Sequence, residues 1–148
     1  MTDYVKNKKV GLEFELLDRY EAGVVLLGTE VKSIRSGKGK LEGSHVVVRG
    51  GEAYLVGASI PPFQKANAPK SYEDDRPRKL LLSRKELVEL FTESEKNGLT
   101  IVPIRWYNSK GKLKLEIAVA KGKKKHDKRD TIKERDSKRD IERTLKNQ

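Results

Sequence analysis

The sequence predicts a mainly β protein: an OB-like closed antiparallel barrel of about six strands with flanking helices, followed by a disordered basic C-terminal tail. Three observations lead to this fold class. Apolar, β-branched segments recur at hairpin spacing through residues 1–120, and two capping patterns mark helices between them. Residues 121–148 hold 12 Lys/Arg and 6 Asp/Glu but only three aliphatic side chains larger than alanine. So few apolar groups cannot offset the entropy of ordering. We therefore expect a barrel domain over 1–120 and a tail over 121–148.

The first strands are expected at 10–17 and 23–27, where apolar residues concentrate, with residues 18–22 joining them. The next pair flanks Gly50-Gly51, since two glycines between β-branched runs are typical of a hairpin.

Residues 99–107 and 112–120 are predicted to form the last hairpin, because apolar residues alternate strictly in the second arm. Pro103 lacks an N–H, so it should lie at a sheet edge or a bulge.

Two helices interrupt the strands. The first is short, capped by Thr29 and ended by Gly37. The second begins with the capping box Ser83–Glu86 and closes at Gly98.

The polar stretch 61–77 should form a mobile loop. Closing the strands into a barrel would remove exposed sheet edges, although a two-sheet sandwich fits the same periodicity.

The charge of the chain points to a polyanionic partner. Its 148 residues include 33 Lys/Arg and 22 Asp/Glu, a net charge of +11. Such a charge favours phosphate groups or an anionic membrane surface. The tail has no aromatic residue and no wide apolar face, and no apolar run approaches a membrane span, so we expect no membrane partner. The N-terminus lacks a signal-peptide pattern, which predicts a cytoplasmic protein.

Catalysis has little support. The sequence contains no cysteine and only two histidines, the distant His45 and His126, so neither a metal nor a cofactor is expected. No nucleophile–base motif or glycine-rich phosphate loop is present. An RNA-processing enzyme that pairs one of these histidines with a carboxylate remains an alternative.

The segment 28–35 admits two interpretations. Glu30 lies in the first turn of the short helix, close to Lys32, Ser33 and Arg35. The carboxylate could simply complement the helix dipole while the basic residues are solvated. It could instead accept hydrogen bonds from base amino groups or a ribose hydroxyl while the basic residues hold phosphates.

The tail is built differently from a flexible linker. Thr131 and Glu134 form a capping box, and opposite charges recur at helical spacing. A basic segment that can form a helix but has no core to pack on favours folding on a polyanion, most often nucleic acid.

Residues 21–35, Glu-Ala-Gly-Val-Val-Leu-Leu-Gly-Thr-Glu-Val-Lys-Ser-Ile-Arg, resemble the signature of small protein B, the SsrA-binding family, which binds transfer-messenger RNA. Three further blocks match in order: Arg-Pro-Arg-Lys-Leu-Leu-Leu at 76–82, Gly-Leu-Thr-Ile-Val-Pro at 98–103, and Gly-Lys-Lys-Lys-His-Asp-Lys-Arg at 122–129. The N-terminus departs from the family, since Asn-Lys-Lys-Val stands at 7–10 where the family usually has Asn-Arg-Lys-Ala.

The resemblance implies a non-enzymatic RNA-binding protein of trans-translation with an OB-like barrel. It would bind the tRNA-like domain of transfer-messenger RNA, support its aminoacylation and help deliver it to stalled ribosomes. Alanyl-tRNA synthetase and elongation factor Tu would be met only through the RNA, and we expect a monomer. The tail would become helical in the empty mRNA channel and the decoding centre of the small ribosomal subunit. Another OB-like translation factor, or a ribosomal protein with a basic extension, is the alternative.

On this resemblance we expect RNA contacts from the N-terminal basic residues, the short helix and the start of the 76–82 block: Asn7, Lys8, Lys9, Thr29, Glu30, Lys32, Ser33, Arg35, Arg76, Arg78 and Lys79. The tail contacts with the ribosome are expected from Gly122, Lys123, Lys124, His126, Asp127, Lys128, Arg129, Lys133, Arg135 and Arg139.

Overall fold

The computed structural model describes residues 2–64, 66 and 68–123. Along the chain, the strands and helices are β1 (Thr2–Lys6), α1 (Val10–Glu13), β2 (Phe14–Val24), α2 (Gly28–Arg35), β3 (His45–Arg49), β4 (Glu52–Val56), β5 (Arg78–Leu81), α3 (Arg84–Ser94), β6 (Leu99–Ser109) and β7 (Lys112–Gly122).

All strand pairings are antiparallel, and six of the strands form a ring in the order β6-β3-β4-β5-β2-β7, with β7 pairing back onto β6. Strand β1 joins the same sheet by pairing with residues 105–108 of β6. The predicted mainly β fold of about six closed antiparallel strands is therefore confirmed. The sandwich alternative is wrong, because the described strands belong to one sheet and not two.

Both predicted hairpins are present, with two-residue turns. Gly50 and Gly51 connect β3 to β4 with φ angles of +59° and +77°. Lys110 and Gly111 connect β6 to β7 with φ angles of +52° and +78°. Positive φ at both turn residues matches the right-handed twist of the flanking strands, which is why glycine is favoured there.

The two strands predicted at 10–17 and 23–27 are wrong in outline. Residues 10–13 form the helical turn α1, and one long strand, β2, continues through the residues expected to connect them. The reason is long-range: Arg19 to Ala22 pair with residues 115–118 of β7. Residues 17–18 lie at a register shift in this ladder instead of in a turn.

The helices differ from expectation at their ends. The predicted reciprocal capping bonds are present in α3: Glu86 N–H donates to Ser83 Oγ (3.2 Å) and Ser83 N–H to the Glu86 carboxylate (3.0 Å). This helix ends at Ser94, before Gly98. Thr29 does not cap α2, because the helix begins at Gly28 with Leu27 as its capping residue, and Thr29 lies in its first turn.

The core fills the interior of the ring and includes the tryptophan and several fully buried aliphatic side chains: Ala22, Ile34, Leu41, Leu55, Ile60, Leu80, Ile101, Trp106, Leu115 and Ile117. A second cluster forms where Val10 of α1 packs with Val102 and Ala120. The far end of β7 is therefore buried on both faces.

Pro103 lies at a register shift between β6 and β7, so the predicted bulge is confirmed. The strand that contains it is paired on both sides.

The ordered body continues past the predicted boundary at Ala120. Strand β7 reaches Gly122, Lys123 N–H donates to the Glu13 carbonyl (2.9 Å), and Lys123 Nζ donates to the Gly11 carbonyl (3.0 Å). The rest of the tail lies outside the described residues. This applies to its predicted disorder and helix, and to the residues predicted to contact the ribosome: Lys124, His126, Asp127, Lys128, Arg129, Lys133, Arg135 and Arg139.

Candidate RNA-binding site

Helix α2 places its residues on two distinct faces. Glu30, Ser33 and Ile34, at spacings of three and four, are all fully buried, while Lys32 and Arg35 are exposed. Ile34 packs into the core, whereas Glu30 is directed at the loop that precedes β5. The sequence pattern shows the spacing, but burial of a carboxylate depends on what the rest of the chain brings to it.

The carboxylate of Glu30 is surrounded by donors from distant parts of the chain. Its Oε1 accepts hydrogen bonds from Leu27 N–H (2.8 Å) and from Arg76 Nη2. Its Oε2 accepts from Arg78 Nη2 (2.7 Å), Arg78 Nε (3.0 Å) and Arg76 Nε (3.1 Å). The hydroxyl of Tyr72 lies 3.2 Å from the same oxygen. We call Glu30, Tyr72, Arg76 and Arg78 the Glu30 centre.

The Glu30 centre ties together segments that are otherwise separate. Arg78, fully buried, also donates to the carbonyls of Ala58 and Asp74, each at 2.8 Å. Tyr72 donates its hydroxyl proton to the carbonyl of Ile60 at 2.5 Å. The loop predicted to be mobile is thus anchored over its second half to both α2 and the segment that follows β4.

The charges of the centre are balanced in favour of the ionised carboxylate. Burial alone would raise the pKa of Glu30, but hydrogen bonds from Arg76, Leu27 and Arg78 outweigh it and hold that pKa below its ordinary value of 4.5. One negative charge thus faces two guanidinium groups. The excess positive charge lies toward solvent, because Arg76 keeps 30% of its side chain exposed and Arg78 none.

A second feature of the surface is a lysine cleft of about 520 Å³, lined by Lys6, Lys8, Lys9 and Lys40 together with Tyr4, Gly37, Gly39 and Glu42. Its far wall is the turn after α2. The sequence analysis named only Lys8 and Lys9 of these lysines. The run Gly-Lys-Gly-Lys at 37–40 is the signal that could have added Lys40, because glycine-flanked lysines after a helix mark an exposed basic turn.

The residues predicted to contact RNA divide by burial. Five of them are exposed: Lys8, Lys9, Lys32, Arg35 and Lys79. Lys79 also forms an ion pair with Glu52 (2.8 Å). Two others are partly exposed: Arg76, described above, and Thr29, whose hydroxyl accepts from Phe63 N–H (2.8 Å).

The remaining four, Asn7, Glu30, Ser33 and Arg78, are buried. The side-chain amide of Asn7 donates to the carbonyls of Pro103 (3.0 Å) and Leu41 (3.5 Å), so it joins the N-terminus to the sheet. The hydroxyl of Ser33 has no hydrogen-bond partner among the described residues. All of these RNA contacts stay predictions, but a direct contact through a buried side chain would require its neighbours to move.

Sequence reasoning missed Tyr72, which the structure places in the Glu30 centre. Its signal was an aromatic residue inside an otherwise polar loop, since a tyrosine in such a position commonly buries its ring and bonds its hydroxyl.

Two observations concern the alternative of an enzyme that uses a histidine or a metal ion. They contain no group of three or more His, Cys, Asp or Glu side chains that could hold a metal ion. His45 is exposed at the start of β3 and shares a small cavity of about 250 Å³ with Glu13, with no hydrogen bond between them.

Within the part of the chain described, no helix is long and apolar enough to cross a membrane.

Fold and site together define a small antiparallel β-ring protein with a basic surface, in which a buried carboxylate anchors a loop. The chain belongs to the SmpB protein family, whose pattern its residues 4–147 match. An SsrA-binding protein of Zymomonas mobilis subsp. mobilis is 48% identical over 142 residues, covering 95% of this chain and 88% of the relative. One of Sulfurihydrogenibium sp. is 47% identical over 140 residues, covering 95% and 91%.

A solved structure described as "tmRNA-SmpB: a journey to the center of the bacterial ribosome" contains a similar chain. The two share 38% of their residues and superpose with a TM-score of 0.68, over 86% of this chain and 92% of the other. The family resemblance found in the four sequence blocks is therefore confirmed.

Proposed function

We propose that this protein binds transfer-messenger RNA through its tRNA-like domain and acts in trans-translation, the rescue of stalled ribosomes. The observation that carries the proposal is family membership over nearly the whole chain. Relatives matched along about nine-tenths of their own length are SsrA-binding proteins, and the similar solved structure is of tmRNA–SmpB. A net charge of +11 suits an RNA partner.

In its finer form, the proposal gives the protein no catalytic step. It holds the RNA, supports aminoacylation by alanyl-tRNA synthetase, and accompanies the charged RNA with elongation factor Tu to the ribosome. The tail occupies the empty mRNA channel and decoding centre, where its basic residues replace the missing codon–anticodon duplex by phosphate contacts.

Two kinds of residue in the body contribute to RNA binding: those that contact phosphates and those that position them. The lysine cleft and the exposed residues Lys32 and Arg35 provide phosphate contacts, since flexible cations on an open surface are suited to that role. Glu30 and Arg78 act as positioning residues, because the network around them holds α2 and the 72–78 segment in place. Asn7 similarly positions Lys8 and Lys9 by bonding the carbonyl of Pro103.

The proposal is tested by sequencing the RNA that co-purifies with the protein from its native cells, followed by gel shifts with the enriched RNA. We expect a single RNA that can be charged with alanine, bound more tightly than total tRNA at the same salt concentration. Enrichment of ribosomal RNA alone would favour a ribosomal protein instead, and cleavage of the bound RNA would favour an enzyme.

The role of the lysine cleft is tested with the triple variant Lys8→Ala, Lys9→Ala, Lys40→Ala. Removing these charges should weaken binding of the tRNA-like domain and reduce the slope of log affinity against log salt by roughly 0.7–0.9 for each phosphate that is no longer neutralised. Lys96→Ala is the control, because Lys96 does not line the cleft and forms a local ion pair with Glu93 after α3. An unchanged slope in the triple variant would exclude the cleft from the interface.

A further inference from the structure

An apolar groove of about 610 Å³ lies between α3 and the turn that joins β3 to β4. Val48, Leu87, Val88 and Phe91 line it, and the backbone of Gly50–Gly51 forms one edge. Val88 and Phe91 leave 60% and 49% of their surface exposed, and Val88 is the most exposed large apolar side chain of the described residues.

Helix α3 has more apolar surface than the core requires. Leu90 is fully buried and attaches the helix to the body. Val88 and Phe91 lie three residues apart on another side of the helix, so they form a second apolar stripe with Leu87. A contiguous apolar surface left open to water marks an interaction site more often than isolated exposed residues do.

The groove has a positive end. Arg84 is the single charged side chain among its lining residues, and Lys85 lies next to it, at the N-terminus of α3, where the helix dipole adds positive potential. Arg49 is exposed beside the glycine turn. None of these three forms a salt bridge within the described part of the chain.

Three acidic side chains, two on α3 and one on β4, already have partners. Glu86 caps α3 through Ser83, and Glu89 accepts a hydrogen bond from the Tyr20 hydroxyl (3.1 Å). Glu52, at the edge of the neighbouring cleft, pairs with Lys79. The positive charge beside the groove is therefore left for a partner.

We propose that this groove docks an amphipathic helical segment of another protein, with its apolar stripe against Val88 and Phe91 and an acidic flank against Arg84. Phe91 is the single aromatic side chain among the lining residues, and the other apolar ones are aliphatic. This composition favours apolar side chains over a run of stacked nucleobases, which are held by several aromatic planes and by arginine stacking. An amphipathic helix laid in a groove is a recurring mode of peptide recognition.

Charge disfavours the tail of this chain as the occupant. The tail of this chain carries 12 Lys/Arg and 6 Asp/Glu, so docking it here would bring like charges together. An acidic flank is the complement that the groove lacks.

The test is a titration of the full chain with three synthetic fluorescent helical peptides. All share one leucine and phenylalanine stripe; one carries glutamate flanks, one lysine flanks, and one has the glutamate peptide's composition in scrambled order. We expect the glutamate peptide to bind roughly tenfold tighter than either of the others, with chemical-shift changes concentrated at residues 84–91.

Variants then locate the binding. Val88→Ser and Phe91→Ala should each weaken the glutamate peptide about tenfold, and Arg84→Glu should reverse the preference toward the lysine peptide. Val25→Ser is the matched control, because Val25 is 49% exposed but lies outside the groove. Thermal unfolding of each variant establishes that the fold is retained.

Several results would overturn the proposal. Equal binding of the scrambled peptide, or an unchanged preference in Arg84→Glu, would mean that no amphipathic acidic segment is recognised. Val88→Ser could instead abolish binding of a single-stranded oligoribonucleotide or dissociate a dimer seen by sedimentation, which would assign the groove to RNA or to a second copy. Tighter peptide binding after removal of residues 124–148 would assign it to the tail.

Discussion

Glu30 shows how a single residue organises this part of the molecule. A buried carboxylate is costly unless it is paired and fully hydrogen-bonded. Here two guanidinium groups and one backbone N–H satisfy it, and those partners come from residues 27, 76 and 78. The residue that looked most like an RNA ligand therefore lies inside the protein, and we propose that it affects RNA binding through the segments it holds.

We expect Glu30→Gln to destabilise the fold by about 3 kcal/mol, because removing one partner of a buried ion pair leaves the other uncompensated. The figure is at the low end of the usual range because Arg76 reaches solvent. Urea unfolding measures it, with Glu93→Gln as the control: Glu93 pairs with Lys96 on the surface, and its loss should cost about 0.5 kcal/mol or less.

The same variant separates the two roles considered for Glu30. If it acts by positioning, RNA affinity and stability fall together, and Arg78→Lys, which keeps the charge but loses the bidentate geometry, lowers both as well. Unchanged stability with a large loss of RNA binding would instead make Glu30 a direct contact.

The pH dependence of stability should carry the signature of this carboxylate. Because folding lowers the pKa of Glu30 below 4.5, the folded state binds fewer protons than the unfolded state in acid. The stabilisation is present above the unfolded pKa and is lost as the pH falls through the folded pKa. We expect the difference in unfolding free energy between the wild type and Glu30→Gln to be constant near neutrality and to shrink below about pH 4.5. A difference that stayed constant down to about pH 2 would contradict the assigned ionisation.

At the scale of secondary-structure elements, one turn links the helix that carries Glu30 to the lysine cleft. The 37–40 turn leads from α2 to the lysine cleft and is fastened by paired backbone hydrogen bonds between Lys40 and Ser59, at 2.9 and 3.0 Å. Gly39 has a φ of +117°, and a Cβ there would lie 3.0 Å from the Ser59 carbonyl oxygen. Only glycine fits this close approach without strain.

Gly39→Ala should therefore lower the unfolding free energy by about 2 kcal/mol and weaken RNA binding through Lys40. Gly28→Ala is the matched control, since no atom lies within 4 Å of the Cβ it would add and the site is the first residue of α2. Alanine is favoured over glycine in helices, so this control should be neutral or slightly stabilising. Thermal unfolding compares the two, and equal shifts would refute the steric argument.

For the whole molecule, the described residues form a closed body that reaches Lys123. Pairing around the β-ring leaves few unpaired strand edges among the described residues. Lys123 follows β7 directly, and its backbone N–H donates a hydrogen bond to Glu13 of α1. We therefore place the truncation after Lys123, three residues beyond the boundary expected from composition.

Truncation after Lys123 should leave the unfolding free energy of the body and its specific RNA binding largely intact, since every described strand and helix is retained. It removes 10 of the 33 Lys/Arg residues, so some salt-dependent affinity should disappear. We expect the same truncation to abolish peptide tagging in a stalled-ribosome assay, because the proposed function requires the tail to fill the vacant mRNA channel.

A tail of identical composition in scrambled order is the control for net charge. If His126 stacks on a base while Lys128 and Arg129 hold phosphates, the scrambled tail should fail in tagging. Equal tagging by both tails would show that charge alone is sufficient.

Local signals in the sequence determined the hairpin turn at Gly50–Gly51, the alternation in β7 and the start of α3, because each depends on neighbours within a few residues. The four ordered sequence blocks determined the family. The excess of lysine and arginine over acidic residues determined the expectation of a polyanionic partner, since charge is a property of composition.

Tertiary structure decided what distant residues do to one another. The continuity of β2 depends on pairing with β7, almost a hundred residues later, and no local pattern encodes it. The burial of Glu30 depends on guanidinium groups 46 and 48 residues away. Spacing in the sequence placed Glu30 on a helix, but only the folded chain surrounds it with partners, because whether a charge is solvated or buried depends on what packs against it.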